Sequence, residues 1–156
     1  MKSLVAVFVL AACGGGGGGY KVSDIKGSSP AGTIDGATWG LSKATIRSDG
    51  TTLSVNLFAD PNVADCAQFQ DASSPIPFII FSMPAQIGTR PLQLSLSDFS
   101  DPSNQTVTFV TPPSSNNIAT DGIIDVSALA TSVTLGLLAD AGHDTVNGTL
   151  ATALCP

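Results

Sequence analysis

Four stretches of the chain alternate apolar and polar residues with a period of two. In Thr52-Leu53-Ser54-Val55-Asn56-Leu57, the residues Leu53, Val55 and Leu57 fall on one face and Thr52, Ser54 and Asn56 on the other. Residues 92–96, 106–109 and 133–137 repeat the pattern. Successive side chains of an extended chain point to opposite sides, so this period predicts half-buried strands. Outward Ser, Thr, Gln and Asn suit antiparallel sheets with one wet face.

Other segments fill in the architecture. Residues 43–47 precede Ser48-Asp49-Gly50, and an Asp-Gly step between alternating runs predicts a hairpin with the strand at Leu53. Pro75-Ile76-Pro77-Phe78-Ile79-Ile80-Phe81 is apolar on both faces, which predicts a central strand with its prolines at the start, where a missing donor costs least. Helix is confined to one or two turns over 60–69, carrying Cys66, and another over 126–130; residues 112–117 read as a loop. All twelve acidic residues are Asp and none is Glu. Asp favours turns through side-chain bonds to nearby backbone, whereas Glu forms helices. The expected fold is all-β: an antiparallel β-sandwich or small barrel of about eight strands, with at most one or two short helices.

The amino terminus reads as a targeting segment. Met1-Lys2-Ser3 is a short basic start, and the apolar run 4–12 is the size of a signal-peptide core, far short of the roughly 20 residues that span a bilayer. The run closes on Leu10-Ala11-Ala12-Cys13, which resembles the lipobox of bacterial lipoproteins. That resemblance implies cleavage before Cys13, a diacylglycerol thioether on its sulfur and an acyl chain such as palmitate on the new amino terminus. Two or more chains anchor stably where one does not. Gly14, rather than Asp, follows the cysteine, which by the sorting rule of enteric bacteria implies the outer membrane.

The expected organisation is therefore a signal peptide over 1–12, Cys13 with a glycine-rich flexible tether to residue 30, and a single β domain over 31–156. A tether of that length has a root-mean-square reach of roughly 20 to 25 Å. Loss of Lys2 with the signal leaves five basic residues against twelve acidic ones, which argues against nucleic acid, whose binding rests on phosphate neutralisation. The partners expected are the membrane, through the anchor, and an envelope protein or a small ligand.

With Cys13 assigned to lipid, Cys66 and Cys155 remain. They either pair in an oxidising compartment or stay as two buried thiols. A bridge closing about 90 residues would stabilise by roughly 3 to 5 kcal/mol in the chain-entropy description.

Thr33-Ile34-Asp35-Gly36 near the start and Thr145-Val146-Asn147-Gly148 near the finish are alike. With Trp39 after the first and Ala153-Leu154-Cys155 after the second, they resemble the opening and closing strands of bacterial lipoproteins with small β domains, a group that carries no activity to transfer.

Candidate chemistry is sparse. His143, the one histidine, has Asp140 and Asp144 beside it, but there is no Gly-x-Ser-x-Gly elbow, and an exposed turn between the last two strands accounts for it. One histidine and two committed cysteines do not make a zinc site. Asp98, Asp101 and Asn104, and separately Asp121 and Asp125, offer oxygens for calcium, yet neither spacing fits an EF-hand loop and turn formation accounts for them. No metal or cofactor is expected. Asn104 and Asn147 open glycosylation sequons, which have little meaning in a bacterial setting. Trp39 is expected in the core rather than on a sugar platform, because Tyr20 is the one other amphipathic aromatic. The function expected is a non-enzymatic interaction or structural module of the envelope, with a small-ligand or carbohydrate-binding sandwich, with or without calcium, as the alternative.

Overall fold

The computed structural model describes residues 19–68, 75–113 and 115–156; the apolar run 4–12, Cys13, the glycines 14–18 and Phe69 lie outside them. In chain order the strands are β1 (Ala31–Ile34), β2 (Ala37–Gly40), β3 (Lys43–Ser48), β4 (Thr52–Phe58), β5 (Phe78–Pro84), β6 (Gly88–Pro91), β7 (Val107–Thr111), β8 (Ser115–Ala119), β9 (Asp121–Leu129), β10 (Ser132–Asp140) and β11 (Thr145–Ala153). They form a six-stranded sheet ordered β2-β1-β11-β10-β9-β6 and a five-stranded sheet ordered β3-β4-β5-β7-β8. All the ladders between these strands are antiparallel, so the fold is the expected sandwich, with eleven strands among the described residues instead of about eight.

The β3–β4 hairpin forms where the Asp-Gly step placed it. Asp49 Oδ1 accepts the N–H groups of Thr51 at 2.8 Å and Thr52 at 2.7 Å, and Gly50 supplies a φ of +89°. Asp35 and Gly36, at φ +52° and +72°, make the two-residue turn between β1 and β2 that suits strand twist. Pro75 and Pro77 precede β5, as expected.

Between the sheets, Ile46, Leu53, Leu57, Ile79, Phe109, Leu135 and Leu137 have no exposed surface. Trp39 joins this core, 3% exposed, with its Nε1–H donating to Pro77 O at 2.9 Å. A second cluster, Phe58, Val63, Ala67 and Phe78, lies where the β4–β5 loop folds over the outer side of the five-stranded sheet.

Two corners join the sheets. Cys155 makes a parallel bridge with Arg47 of β3, its N–H donating to Ile46 O at 2.8 Å, and its sulfur is bonded to Cys66 in the β4–β5 loop. At the other corner, Gln93 bridges Gln105, with N–H to O distances of 2.8 and 2.9 Å.

Several expectations give way. The 126–130 helix does not form, because Val126 and Leu129 pair with β10 within β9. Residues 60–68 make turns rather than helix, and Cys66 takes φ +59°. The loop read at 112–117 contains the start of β8, whose polar Ser-Asn-Asn sequence hides its pairing with β7. The strand expected over 92–96 stops at Gln93, because Asn104 Oδ1 accepts the Ser95 N–H at 2.7 Å in place of a neighbouring strand.

Residues 20–30, which the sequence assigns to a flexible tether, are held against the domain. Val22–Asp24 forms one 3-10 turn, and the segment that follows lies along the outer side of the six-stranded sheet. Thr149 N–H donates to Gly27 O at 3.1 Å and Lys26 N–H to Asn147 Oδ1 at 2.7 Å. Ile25 rests on Gly136, where an added Cβ would come within 2.9 Å of its Cδ1.

Candidate functional site

The register of the five-stranded sheet determines what its outer side presents. With Val55, Leu57, Ile79 and Phe81 in the core, the alternate positions face outward. Thr45, Asn56, Ile80 and Thr108 then stand side by side across β3, β4, β5 and β7. The next row along is Arg47, Ser54 and Ser82. The row on the other side, Phe58, Phe78 and Val110, is covered by the β4–β5 loop.

A groove of about 550 Å³ runs over Asn56, Ile80 and Thr108 of the first row and over Arg47, Ser54 and Ser82 of the second. Gln68 of the β4–β5 loop lines one side; Leu94, Phe99 and Asn104 of the β6–β7 loop line the other. The volume is in the range of small-molecule sites, roughly 300 to 1,000 Å³.

The β6–β7 wall is built by short polar side chains. Asp98 Oδ1 accepts both the N–H and the hydroxyl of Ser100, at 2.9 and 2.6 Å, and Asp101 repeats this with Ser103 at 2.8 and 2.6 Å. Those hydroxyls and amides hold both carboxyls below their ordinary pKa. Asn104 Nδ2 donates to Asp98 O at 3.0 Å, and the buried Gln105 anchors the loop's end through Nε2 to Ser82 O at 2.9 Å. The Asp98 and Asp101 carboxylates of this loop thus serve as turn acceptors, the role the sequence assigned to them. Asp121 and Asp125 sit on β9, where Asp125 accepts the Thr89 hydroxyl at 2.7 Å, remote in the chain from Asp98 and Asp101. Among the described residues no group of three or more His, Cys, Asp or Glu is placed to hold a metal.

Arg47 forms one end of the groove. Its Nη2 donates to Cys66 O at 2.8 Å and its Nη1 to Pro156 O, so the guanidinium ties together the two segments that the disulfide joins. The bridge closes an 89-residue separation and fixes the β4–β5 loop beside the groove.

A second, polar hollow of about 540 Å³ lies where the β1–β2, β7–β8 and β10–β11 turns meet. His143 is exposed in the last of these turns, as expected. Asp144 beside it is 6% exposed and is used structurally: Oδ1 accepts Asp35 N–H at 2.7 Å and Oδ2 accepts Asn117 Nδ2 at 3.0 Å. Asp140 caps its own turn through Gly142 N–H at 2.7 Å. Neither carboxylate is hydrogen-bonded to His143.

The groove residues escape a motif search because each is ordinary alone. The available signal was Asn56 on the polar, outward face of an alternating strand, and Phe99 isolated among serines and aspartates. Comparison of the chain with protein-family models, curated proteins and solved structures gives no match.

Proposed function

We propose that this chain is a lipid-anchored lipoprotein of the bacterial cell envelope whose β-sandwich is a non-enzymatic interaction module, binding through the groove on the five-stranded sheet. The observation that carries the reading is an opposition of faces. The segment from Tyr20 to Pro30 runs over the outer side of the six-stranded sheet, and the groove opens on the outer side of the other sheet.

Other observations support it. The lipobox Leu10-Ala11-Ala12-Cys13 supplies the anchor, and the Cys66–Cys155 disulfide suits an oxidising compartment. Six glycines lie between Cys13 and Tyr20, seven chain steps that span at most about 25 Å when fully extended. An anchor at Cys13 thus joins the domain on the side of the six-stranded sheet, and the groove on the other sheet is left free for a partner in the periplasm or beyond. The residues described as lining the groove include no His, Cys, Asp or Glu, which suits recognition rather than proton transfer.

The test is site-specific photo-crosslinking in intact membranes, with the reactive group at Phe99 on the groove wall or at Ile87, which is exposed in the β5–β6 connection. A discrete adduct from the Phe99 position and none from Ile87 is expected. Equal labelling from both positions, or none from either, contradicts the reading.

A further inference from the structure

The groove's polar groups have a chemical bias. The chain carries twelve carboxylates, yet among the described residues none lines this groove. Its floor is made of hydroxyls and amides, Ser54, Ser82, Thr108 and Asn56, and its wall is the exposed ring of Phe99.

Asn56 is the telling residue. It is 6% exposed and lines the groove, and among the described residues its side-chain amide has no hydrogen-bond partner. The sealed, unpartnered side-chain nitrogens among the described residues are Arg47 Nε and Arg90 Nε, so the Asn56 amide, with its two donors and one acceptor, still opens to solvent. Here the space they can be matched from is the groove itself.

From these features we infer that the groove binds a short neutral oligosaccharide. A sugar presents hydroxyls that both donate and accept, matching Asn56 and the Ser and Thr row. Its C–H face is apolar and flat enough to lie on Phe99 and Ile80. A phosphorylated or carboxylated ligand would find one cation, Arg47, whose terminal nitrogens are already engaged by Cys66 O and Pro156 O. An apolar peptide would bury the floor hydroxyls and the Asn56 amide without replacing their water. Phe99 is 74% exposed, and Asp98, Asp101 and Asn104 hold its loop in place before any ligand arrives. This inference rests on the groove being the interaction surface proposed above.

The test is titration of the full chain, isotopically labelled and held in amine-oxide micelles that carry no sugar headgroup. The probes are maltotetraose, cellotetraose, fully N-acetylated chitotetraose and, as the charged counterpart, tetragalacturonate. At least one neutral probe is expected to shift the Asn56 and Phe99 amide signals saturably, and tetragalacturonate to bind more weakly. Phe99→Ala and Asn56→Ala should each weaken that binding roughly 3- to 10-fold, the worth of one contact or hydrogen bond, while Ile87→Ala leaves it unchanged. Phe99 is on the surface, so its replacement tests the site without loading the fold.

Silence towards all three neutral probes, binding indifferent to both substitutions, or preference for the charged probe overturns the oligosaccharide. If the Phe99 crosslinker still captures a discrete envelope protein, the interaction reading survives and the sugar alone is wrong. If it captures nothing, both fail.

Discussion

Asn147 Oδ1 accepts the main-chain N–H of Lys26 at 2.7 Å, across 121 residues of sequence. The other end of the same amide donates to Asp24 O at 3.0 Å. One side chain on β11 therefore matches both a donor and an acceptor of the segment that precedes β1. Next to it, Gly148 leaves room for Ser29 and Pro30 to cross.

Replacing Asn147 with Ala should release that segment. Loss of both bonds is expected to cost about 1 to 2 kcal/mol and to raise amide hydrogen exchange over residues 21–30, with the core strands unchanged. Unchanged exchange in that segment would refute the role given to Asn147.

Gly148→Ala acts on the same contact by steric means. Gly148 has φ +155°, and an added Cβ would lie 2.4 Å from Ser29 O. The substitution should cost more than about 1 kcal/mol in urea unfolding. Combined with Asn147→Ala, the loss should be clearly less than additive, because both release one segment.

Much of the fold was legible in the sequence, and the misses share a cause. Where one face is buried, as at Leu53, Val55 and Leu57 or Leu135 and Leu137, alternation declares the strand. Strand β8 is an edge strand reading Ser-Asn-Asn-Ile-Ala, held by main-chain pairing to β7, and main-chain pairing leaves no mark in side-chain pattern. The four-residue strands β1, β2 and β6 are too short to show a period. The run Leu92-Gln93-Leu94-Ser95-Leu96 alternates yet leaves the sheet after Gln93, because the Asn104 amide competes for the Ser95 N–H. The groove was not legible, since Asn56, Ile80, Phe99 and Thr108 meet through sheet register and a loop fold rather than through spacing.

Reduction should loosen the corner at Arg47. Replacing Cys66 and Cys155 together by Ser is expected to lower stability by roughly 3 to 5 kcal/mol and to expose the final residues to carboxypeptidase. An unchanged urea midpoint would contradict the account of that corner.

Acid should weaken the fold through the Asp turns. Hydrogen bonds from Thr51 and Thr52 hold Asp49 below its ordinary value of 3.8, those from Ser100 and Ser103 lower Asp98 and Asp101, and Lys43 lowers Asp65. A carboxyl lowered on folding contributes stability in full above its unfolded pKa and loses it as pH falls through the folded value. Stability should thus be level from neutral pH to about 5 and decline below about 4. A decline already between pH 7 and 6 would contradict this account.

Asp144→Ala strips a partner from the Asp35 N–H and from Asn117, and is expected to cost about 1 to 3 kcal/mol in thermal or urea unfolding. His143→Ala, on the exposed turn next to it, should stay within about 0.5 kcal/mol. Equal effects would show that the turn, rather than the buried carboxylate, organises that end of the sandwich.

The central claim is a lipid-anchored, disulfide-closed domain, and the intact mass of the mature protein extracted from its own membrane tests it most directly. The account predicts cleavage before Cys13, added acyl mass on the new amino terminus and its sulfur, and two thiols that alkylate after reduction alone. An unacylated chain with three thiols open to alkylation without reduction would contradict it.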